Sequence, residues 1–327
     1  MKRRYLLQGM VLSLVICGLL GLTASQSGAG GSAAYPNGAE AFMVGMVPPP
    51  GGYFVNYVNY YHASQLMDDD GDDQPVFDEI TVKADVLRFI WISKSTFLGG
   101  TYGQHLFIPF LDVDLDFTAP VGPKHKTSYS DRGVPYLIYS PLLLGYHLLE
   151  GKLHVAVSLA DIYIPTGQDD GNLAGVGRNY WTFEPVVAAT WLYNQWELSA
   201  KFMVDISSRQ DDCPTAYGFE VDRKPGQEFH CDYSLSYGFS PQWRLGVSGY
   251  YYRQLTDDDY DPDSGVPSEV QALLADDEEN HSEVFAVGPG IWYNYQNMFF
   301  SLRSQWEMGA RNKSEGSSHW FKFTYVF

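Results

Sequence analysis

The ten residues S-H-W-F-K-F-T-Y-V-F, from Ser318 to Phe327, decide how the chain is to be read. Phe321, Phe323, Tyr325 and Phe327 fall on one face of an extended strand and Lys322, Thr324 and Val326 on the other, because successive side chains of a strand point to opposite sides. A face so apolar meets either a second sheet, as in a soluble sandwich, or lipid, as in a membrane barrel. Ten residues leave both open, and the rest of the chain chooses between them.

The amino end places the protein outside the cytoplasm. Lys2, Arg3 and Arg4 precede a mainly apolar run from Val11 to Leu22 and a small-residue stretch from Thr23 to Ala34, the layout of a secretory signal peptide. The run is shorter than the about 20 apolar residues that cross a bilayer as a helix. Residues 1–29 are expected to be removed, with cleavage somewhere from Ala24 to Ala34, leaving 30–49 as a periplasmic segment and 50–327 as the folded body. Cys17 follows Ile16 rather than a small residue, which argues against a lipidated cysteine. After cleavage Cys213 and Cys231 remain, an even number suited to an oxidising compartment.

The 327 residues are 45% hydrophobic and 16% aromatic, yet long helical periodicity is missing and short alternating runs dominate, which points to an all-β protein. A formal net charge of -18 excludes nucleic acid as a partner, since phosphates demand lysine and arginine. In L-D-V-D-L-D-F, Leu111, Val113, Leu115 and Phe117 alternate with Asp112, Asp114 and Asp116; in W-E-L-S-A-K-F-M-V-D-I, Trp196, Leu198, Ala200, Phe202, Val204 and Ile206 alternate with Glu197, Ser199, Lys201, Met203 and Asp205. Counting weaker runs, strands are expected near 50–62, 77–92, 101–118, 133–147, 152–164, 179–193, 195–208, 227–239, 243–255, 282–295, 298–308 and 318–327, twelve in all.

The connections then decide the class. S-K-S-T, L-L-E-G, Y-N-Q, S-P-Q and Y-Q-N are tight, and they alternate with long polar loops around 63–76, 119–132, 165–178, 209–226, 256–281 and 309–317. An outer-membrane barrel has this rhythm: short periplasmic turns, long extracellular loops and an even strand count. Closure leaves no sheet edge exposed to lipid. The expected fold is therefore an all-β, transmembrane antiparallel β-barrel of about 12 strands in the bacterial outer membrane. Phe323, Tyr325 and Phe327 would end the closing strand at the periplasmic interface, in the pattern read by the barrel-assembly machinery. Trp181, Trp191, Trp196, Trp243, Trp292 and Trp320 are expected in the interfacial girdles.

Several stretches carry a resemblance: V-P-P-P-G-G-Y-F from Val47, F-L-G-G-T-Y-G from Phe97, I-P-T-G from Ile164, N-Y-W-T-F-E-P from Asn179 and G-Y-Y-Y-R-Q-L-T-D-D from Gly249. Together they resemble a family of outer-membrane proteins associated with the phenol meta-cleavage pathway. The resemblance implies a transporter-like barrel that admits hydrophobic or aromatic compounds and does not imply catalysis. The stretch from Cys213 to Cys231 is longer and more polar than that family's pattern.

Candidate sites follow from strand phase. With Leu111, Val113 and Leu115 toward lipid, Asp112, Asp114 and Asp116 would line the lumen, as hydrated or arginine-paired carboxylates rather than a cation filter. Glu197, Lys201, Arg244, Arg303 and Lys322 would also point inward. D-D-D-G-D-D from Asp68 and the stretch from Asp257 to Glu279 carry 5 and 10 acidic residues. They read first as solvated loops and second as cation-bridging surfaces facing lipopolysaccharide, neither having the spacing of a twelve-residue calcium loop. Between Val266 and Ala275 a short helix capped by Ser268 is expected over the mouth. Cys213 and Cys231 either form a disulfide restraining the loop or leave Cys231 facing lipid with Phe229 and Tyr233.

Ser248 in G-V-S-G lacks a nucleophile-elbow pattern, and His105, His147, His154 and His230 fall on different strands, so a hydrolase is the least supported class. The sequence thus predicts a non-enzymatic, cofactor-free outer-membrane channel for passive entry of small hydrophobic or aromatic solutes. A structural or surface-binding barrel is the alternative. The segment from Tyr35 to Pro50, with its P-P-P run, reads as an extended linker before strand one, in preference to a plug.

Overall fold

The computed structural model describes residues 35–74, 77–118, 126–167, 174–215, 219–278 and 281–327; the expected signal peptide lies outside them. The wall is built from β1 (Gly51–Met67), β2 (Phe77–Phe97), β3 (Gly100–Thr118), β4 (Lys126–Gly133) running on into β5 (Tyr136–Leu148), β6 (Leu153–Pro165), β7 (Thr182–Tyr193) and β8 (Trp196–Ser207). It continues after an extracellular excursion formed by β9 (Gln210–Pro214) and β10 (Glu220–Lys224). The remaining strands are β11 (Glu228–Gly238), β12 (Trp243–Gln254), β14 (Glu283–Tyr295), β15 (Met298–Arg311) and β16 (Lys313–Val326), with β13 (Asp259–Asp261) and helix α1 (Ser268–Asp277) between β12 and β14. With β4 and β5 lying in line against β3, the wall has twelve staves, each containing one expected strand. β1 pairs antiparallel with both β2 and β16, and β2 with β3, so the sheet closes on itself.

Two expected connections are corrected. S-K-S-T lies inside β2, and the turn falls one step later at Leu98 and Gly99, whose φ values of 49° and 82° suit a tight hairpin. The expected loop 309–317 is absent: β15 runs to Arg311, β16 starts at Lys313, and Asn312 turns at φ 46°. Its polar residues read as loop, but β16 stays paired with β1 as far as Met67↔Lys313, since a ladder satisfies backbone groups whether its side chains meet lipid or water.

The outward face carries Val58, Phe89, Leu198, Leu245, Leu302 and Phe321, all exposed, as lipid contact requires. Near the periplasmic turns, aromatic rings run from strand to strand: Trp243 to Tyr293 at 4.2 Å between centroids, Tyr293 to Phe300 at 6.2 Å and Phe300 to Phe323 at 5.2 Å. Trp181, Trp191, Trp196 and Trp243 are exposed girdle residues as expected. Trp320 is not; it is buried inside, with the Arg303 guanidinium 5.7 Å from its ring, and Trp292 lines the inner cavity. Strand phase decides this, because each shares parity with an inward arginine, Arg303 across from Trp320 and Arg244 across from Trp292.

The excursions on the extracellular side fold together. β9, β10 and β13 make a three-stranded sheet, and α1 packs Leu274 against Val221 and Val266. A helix forms here as expected, but it is capped by Pro267 rather than Ser268: the Pro267 carbonyl accepts from the N–H groups of Val270 and Gln271 at 3.0 Å. Asp258 holds the base of this cap, accepting from Arg223 at 3.3 Å and from the Gly226 backbone at 2.8 Å. Burial raises the Asp258 carboxyl above its ordinary range against the pull of Arg223, and pushes the Tyr260 hydroxyl up to about 12.

Candidate functional site

The inner wall is polar and filled. Glu184, Glu197, Asp205, His230, Asp232, Ser234, Ser236, Ser248, Gln254 and Gln305 are all fully buried, a state charged and amide groups tolerate only when partnered. Some pair along the wall, Glu184 with Tyr163, Ser236 with Glu197 and Gln305 with Ser248, while Glu197, His230 and Asp232 meet the segment expected to be a periplasmic linker. Residues 35–49 enter the lumen, and Tyr35, Ala39, Glu40, Ala41 and Val47 are buried there. The reading as an extended linker is therefore corrected to an internal plug. The Pro48-Pro49-Pro50 run bends at Pro49 and Pro50 and hands the chain to β1, with Tyr53 donating to the Pro49 carbonyl at 2.6 Å.

The plug has almost no regular structure, so its backbone groups must find partners on the wall. Asp232 accepts from the Tyr35 hydroxyl at 2.6 Å and from the N–H groups of Gly38 at 2.9 Å and Glu40 at 3.0 Å. Glu197 accepts from the Met43 N–H at 2.8 Å and the Thr190 hydroxyl from the Gly45 N–H at 2.9 Å. From the other side Arg303 donates to the carbonyls of Gly38, Ala39 and Glu40 at 2.6, 2.7 and 3.2 Å. Gly38 turns the chain at φ 76° where an added Cβ would meet Gln305 and Tyr250, and a Cβ on Gly45 would lie 2.5 Å from the backbone nitrogen of Thr190. Both glycines let the plug backbone approach the wall closely.

Glu40 is the centre of charge. Its carboxylate takes Arg88 at 2.7 Å, Lys322 at 2.5 Å and the Tyr57 hydroxyl at 2.8 Å, with the three charged side chains 8%, 15% and 24% exposed respectively for Glu40, Arg88 and Lys322. From Arg88 a wire of contacts runs into the wall: Arg88 donates to His105 Nδ1 at 2.9 Å, which leaves the Nε2 proton for Asp161 at 3.2 Å, and Asp161 accepts from Ser158 at 2.6 Å. Ser158 in turn lies 2.7 Å from Ser140. The acid sits between the serine and the histidine, so His105 cannot take the Ser158 proton as a hydrolytic base would.

Below Glu40, on the periplasmic side, a cavity of about 1050 Å³ is lined mostly by apolar groups, among them Val44, Val47, Ile90, Leu143 and Ala188, with Arg88, His105, Lys201 and Lys322 at its inner end. Beside Tyr35, Pro36 and Tyr57 only about 30 Å³ is left, room for about one water. The lumen is thus a periplasmic vestibule closed above by residues 35–41.

Of the residues chosen from the sequence, Glu197, Lys201, Arg303 and Lys322 lie buried or half-buried on the inner wall, and Arg244 lies at the rim, donating to Ser236 at 3.0 Å and to the Gln195 carbonyl at 2.9 Å. The aspartate ladder is corrected. Leu111 packs with the inward Ala84 and Val86, and Leu115 with Phe77, so Asp112, Asp114 and, by phase, Asp116 face outward. Asp112 and Asp114 are 46% and 55% exposed, and both approach Lys83 of β2, at 3.9 and 3.3 Å. An acidic face marks the lumen only where the other face meets lipid, and here the apolar face of β3 packs inward against β2 while the aspartates meet solvent. Cys213 and Cys231 are not bonded to each other; Cys213 sits in the cap sheet and Cys231 shares the outward phase of Phe229, whose ring lies 6.4 Å from Tyr251. Glu40, Arg88, Asp161, Glu184 and Asp232 were missed, although Arg88 and Asp161 each interrupt an inward apolar parity, between Val86 and Ile90 and before Tyr163.

A closed barrel with an apolar outer band and a polar, plugged interior is an outer-membrane β-barrel. The chain belongs to the family described as "Putative MetA-pathway of phenol degradation", whose model matches residues 56–323. Among solved structures it is similar to the COG4313 outer membrane channel from Pseudomonas putida F1, at 15% identity and a TM-score of 0.65, covering 90% of this chain and 100% of that one. The transport unit of the autotransporter AIDA-I from Escherichia coli aligns at 8% identity and a TM-score of 0.45, covering 86% and 92%, too remote to carry weight. No curated protein sequence matches.

Proposed function

We propose that the protein is a passive outer-membrane channel for small hydrophobic or aromatic compounds, held closed by its own amino-terminal segment. The observation that carries this reading is the apolar vestibule of about 1050 Å³ inside a charged, plugged barrel: a purely structural barrel has no need of a shaped apolar cavity. The family's association with phenol degradation and the similarity to a channel support the same class. Glu40 and its cations form the gate, and Glu197, Lys201, Arg244, Arg303 and Lys322 seat or flank the plug. No catalytic step and no cofactor enter this reading.

Its surroundings are outer-membrane lipid and lipopolysaccharide at the wall, and the barrel-assembly machinery recognising Phe323, Tyr325 and Phe327. The acidic run at Asp68 folds as a self-satisfied turn, Asp68 accepting from the N–H groups of Asp70 and Asp72 at 3.0 and 2.9 Å, which favours a solvated loop over a cation bridge. The test is uptake of radiolabelled toluene or phenol into liposomes holding the refolded barrel. Saturable entry above that of protein-free liposomes supports the channel; entry equal to the control, also after removal of residues 35–47, would leave the structural alternative.

A further inference from the structure

Toward the extracellular ends of β8 and β11, behind the first residues of the plug, Asp205, Glu228 and His230 converge. Each offers one ligand atom, and these atoms lie within 4.8 Å of one another; among the described residues this is the one group of three or more with metal-ligand spacing. His230 Nε2 stands 3.5 Å from Asp205 Oδ2 and 3.9 Å from Glu228 Oε2. All three side chains are at least nine-tenths buried.

The hydrogen bonding around them is complete everywhere except at the centre. Glu228 Oε1 accepts from the Tyr252 hydroxyl at 2.9 Å, and His230 Nδ1 donates to Asn37 Oδ1 of the plug at 2.7 Å. A proton on Nδ1 leaves the Nε2 lone pair facing two carboxylates. Nε2 of His230 and Oε1 of Glu184 lack a hydrogen bond of acceptable geometry, and Asp205 makes only loose contacts, with the Tyr35 backbone and with the carboxyl of Glu184, whose other oxygen accepts from Tyr163 at 2.8 Å. Lone pairs aimed at one another in a dry interior are costly unless a proton or a cation lies between them.

We propose that Asp205, Glu228 and His230, with Glu184 beside them, bind one divalent transition-metal ion, with Zn²⁺ the probe of choice. One imidazole nitrogen and two carboxylates are a donor set that zinc accepts, with bonds of about 2.0–2.2 Å. Donors in a tetrahedral zinc site then lie about 3.3 Å apart, so the observed 3.5 and 3.9 Å need to close by about 0.2 and 0.6 Å, and the two carboxylates, within 4.8 Å of each other, by up to about 1.5 Å. The Asn37 contact is the outer-shell hydrogen bond that fixes a ligating imidazole. The ion would cross-link β8 to β11 and, through His230 and Asn37, hold the upper end of the plug. This site does not depend on what the channel conducts.

The experiment refolds the full mature chain with Zn²⁺, removes free ion by gel filtration and measures bound zinc by mass spectrometry. A His147→Ala background removes the exposed partner of the His147–His154 pair as a competing zinc site. About one zinc per chain is expected, falling at least tenfold in Asp205→Asn and in His230→Gln, each checked for folding by its heat-modifiable mobility in gels. With Co²⁺ in place of zinc, a visible absorption band should appear in the parent and vanish in both variants. Zinc retention that is absent from the parent, or equal in the parent and either folded variant, would overturn the site and would show that the lone pairs are neutralised by protons.

Discussion

Replacing Glu40 by glutamine should unlatch the plug without changing its shape. In the native lumen the Glu40 carboxylate receives Arg88 at 2.7 Å, Lys322 at 2.5 Å and the Tyr57 hydroxyl at 2.8 Å. The amide keeps the volume but leaves two buried cations facing each other without an anion. Removing one member of a buried charge pair costs about 3–5 kcal/mol, which lowers the ratio of seated to unseated plug by about two to four orders of magnitude. The contacts of Asp232, Glu197, Thr190 and Arg303 with the plug backbone remain, so the expected result is flickering rather than permanent opening. In planar bilayers Glu40→Gln should show open bursts at the conductance of a barrel lacking residues 35–47, against a mostly closed parent. Restoring closure with a second change, Lys322→Met, would show that the uncompensated cation was the cause. Traces of Glu40→Gln indistinguishable from the parent, when the deletion itself opens the channel, would refute the electrostatic latch.

Four further outcomes are expected. Gly45→Val places a Cβ 2.5 Å from the Thr190 backbone nitrogen, which cannot rotate away; an overpacking cost on the order of 1–3 kcal/mol should raise bilayer conductance above that of the parent, and unchanged conductance would show that the plug tolerates the added volume. The pair Asp112→Asn and Asp114→Asn should leave ion selectivity, measured as reversal potential in a salt gradient, unchanged, because both groups face outward beside Lys83; a shift would return them to the lumen. Cys213→Ser with Cys231→Ser should shift thermal unfolding by much less than the about 3 kcal/mol of a lost disulfide, and reductant should not alter gel mobility. Deleting Phe327 should lower the amount of barrel assembled in cells while detergent refolding stays normal; equal losses in both would make Phe327 a stability residue only.

How much was legible from the residues alone follows a simple physical line. Periodicity of two reports which side chains share a face, and the alternation of short and long connections reports which ends lie together; both are local, and they hold in the twelve staves and the outward face of β16, except that the last long connection shrinks to a turn at Asn312. The sequence by itself therefore determined a membrane barrel. Which face of a strand looks inward is local only where one face is plainly apolar. On β3 the apolar face packs inward against β2, the outward residues become Asp112 and Asp114, and the inference inverted. Pairing can also extend strands through polar residues, as at Asn312, since the ladder depends on backbone partners rather than side chains.

The site was decided by tertiary structure. Glu40 lies 48 residues from Arg88 and 282 from Lys322, and Asp232 is 197 residues from Tyr35. No window of sequence holds both members of such a pair. Residues 35–49 carry no period at all, because an irregular chain is ordered by the carboxylates, hydroxyls and guanidinium that receive its backbone, and those are gathered only when the barrel closes around it.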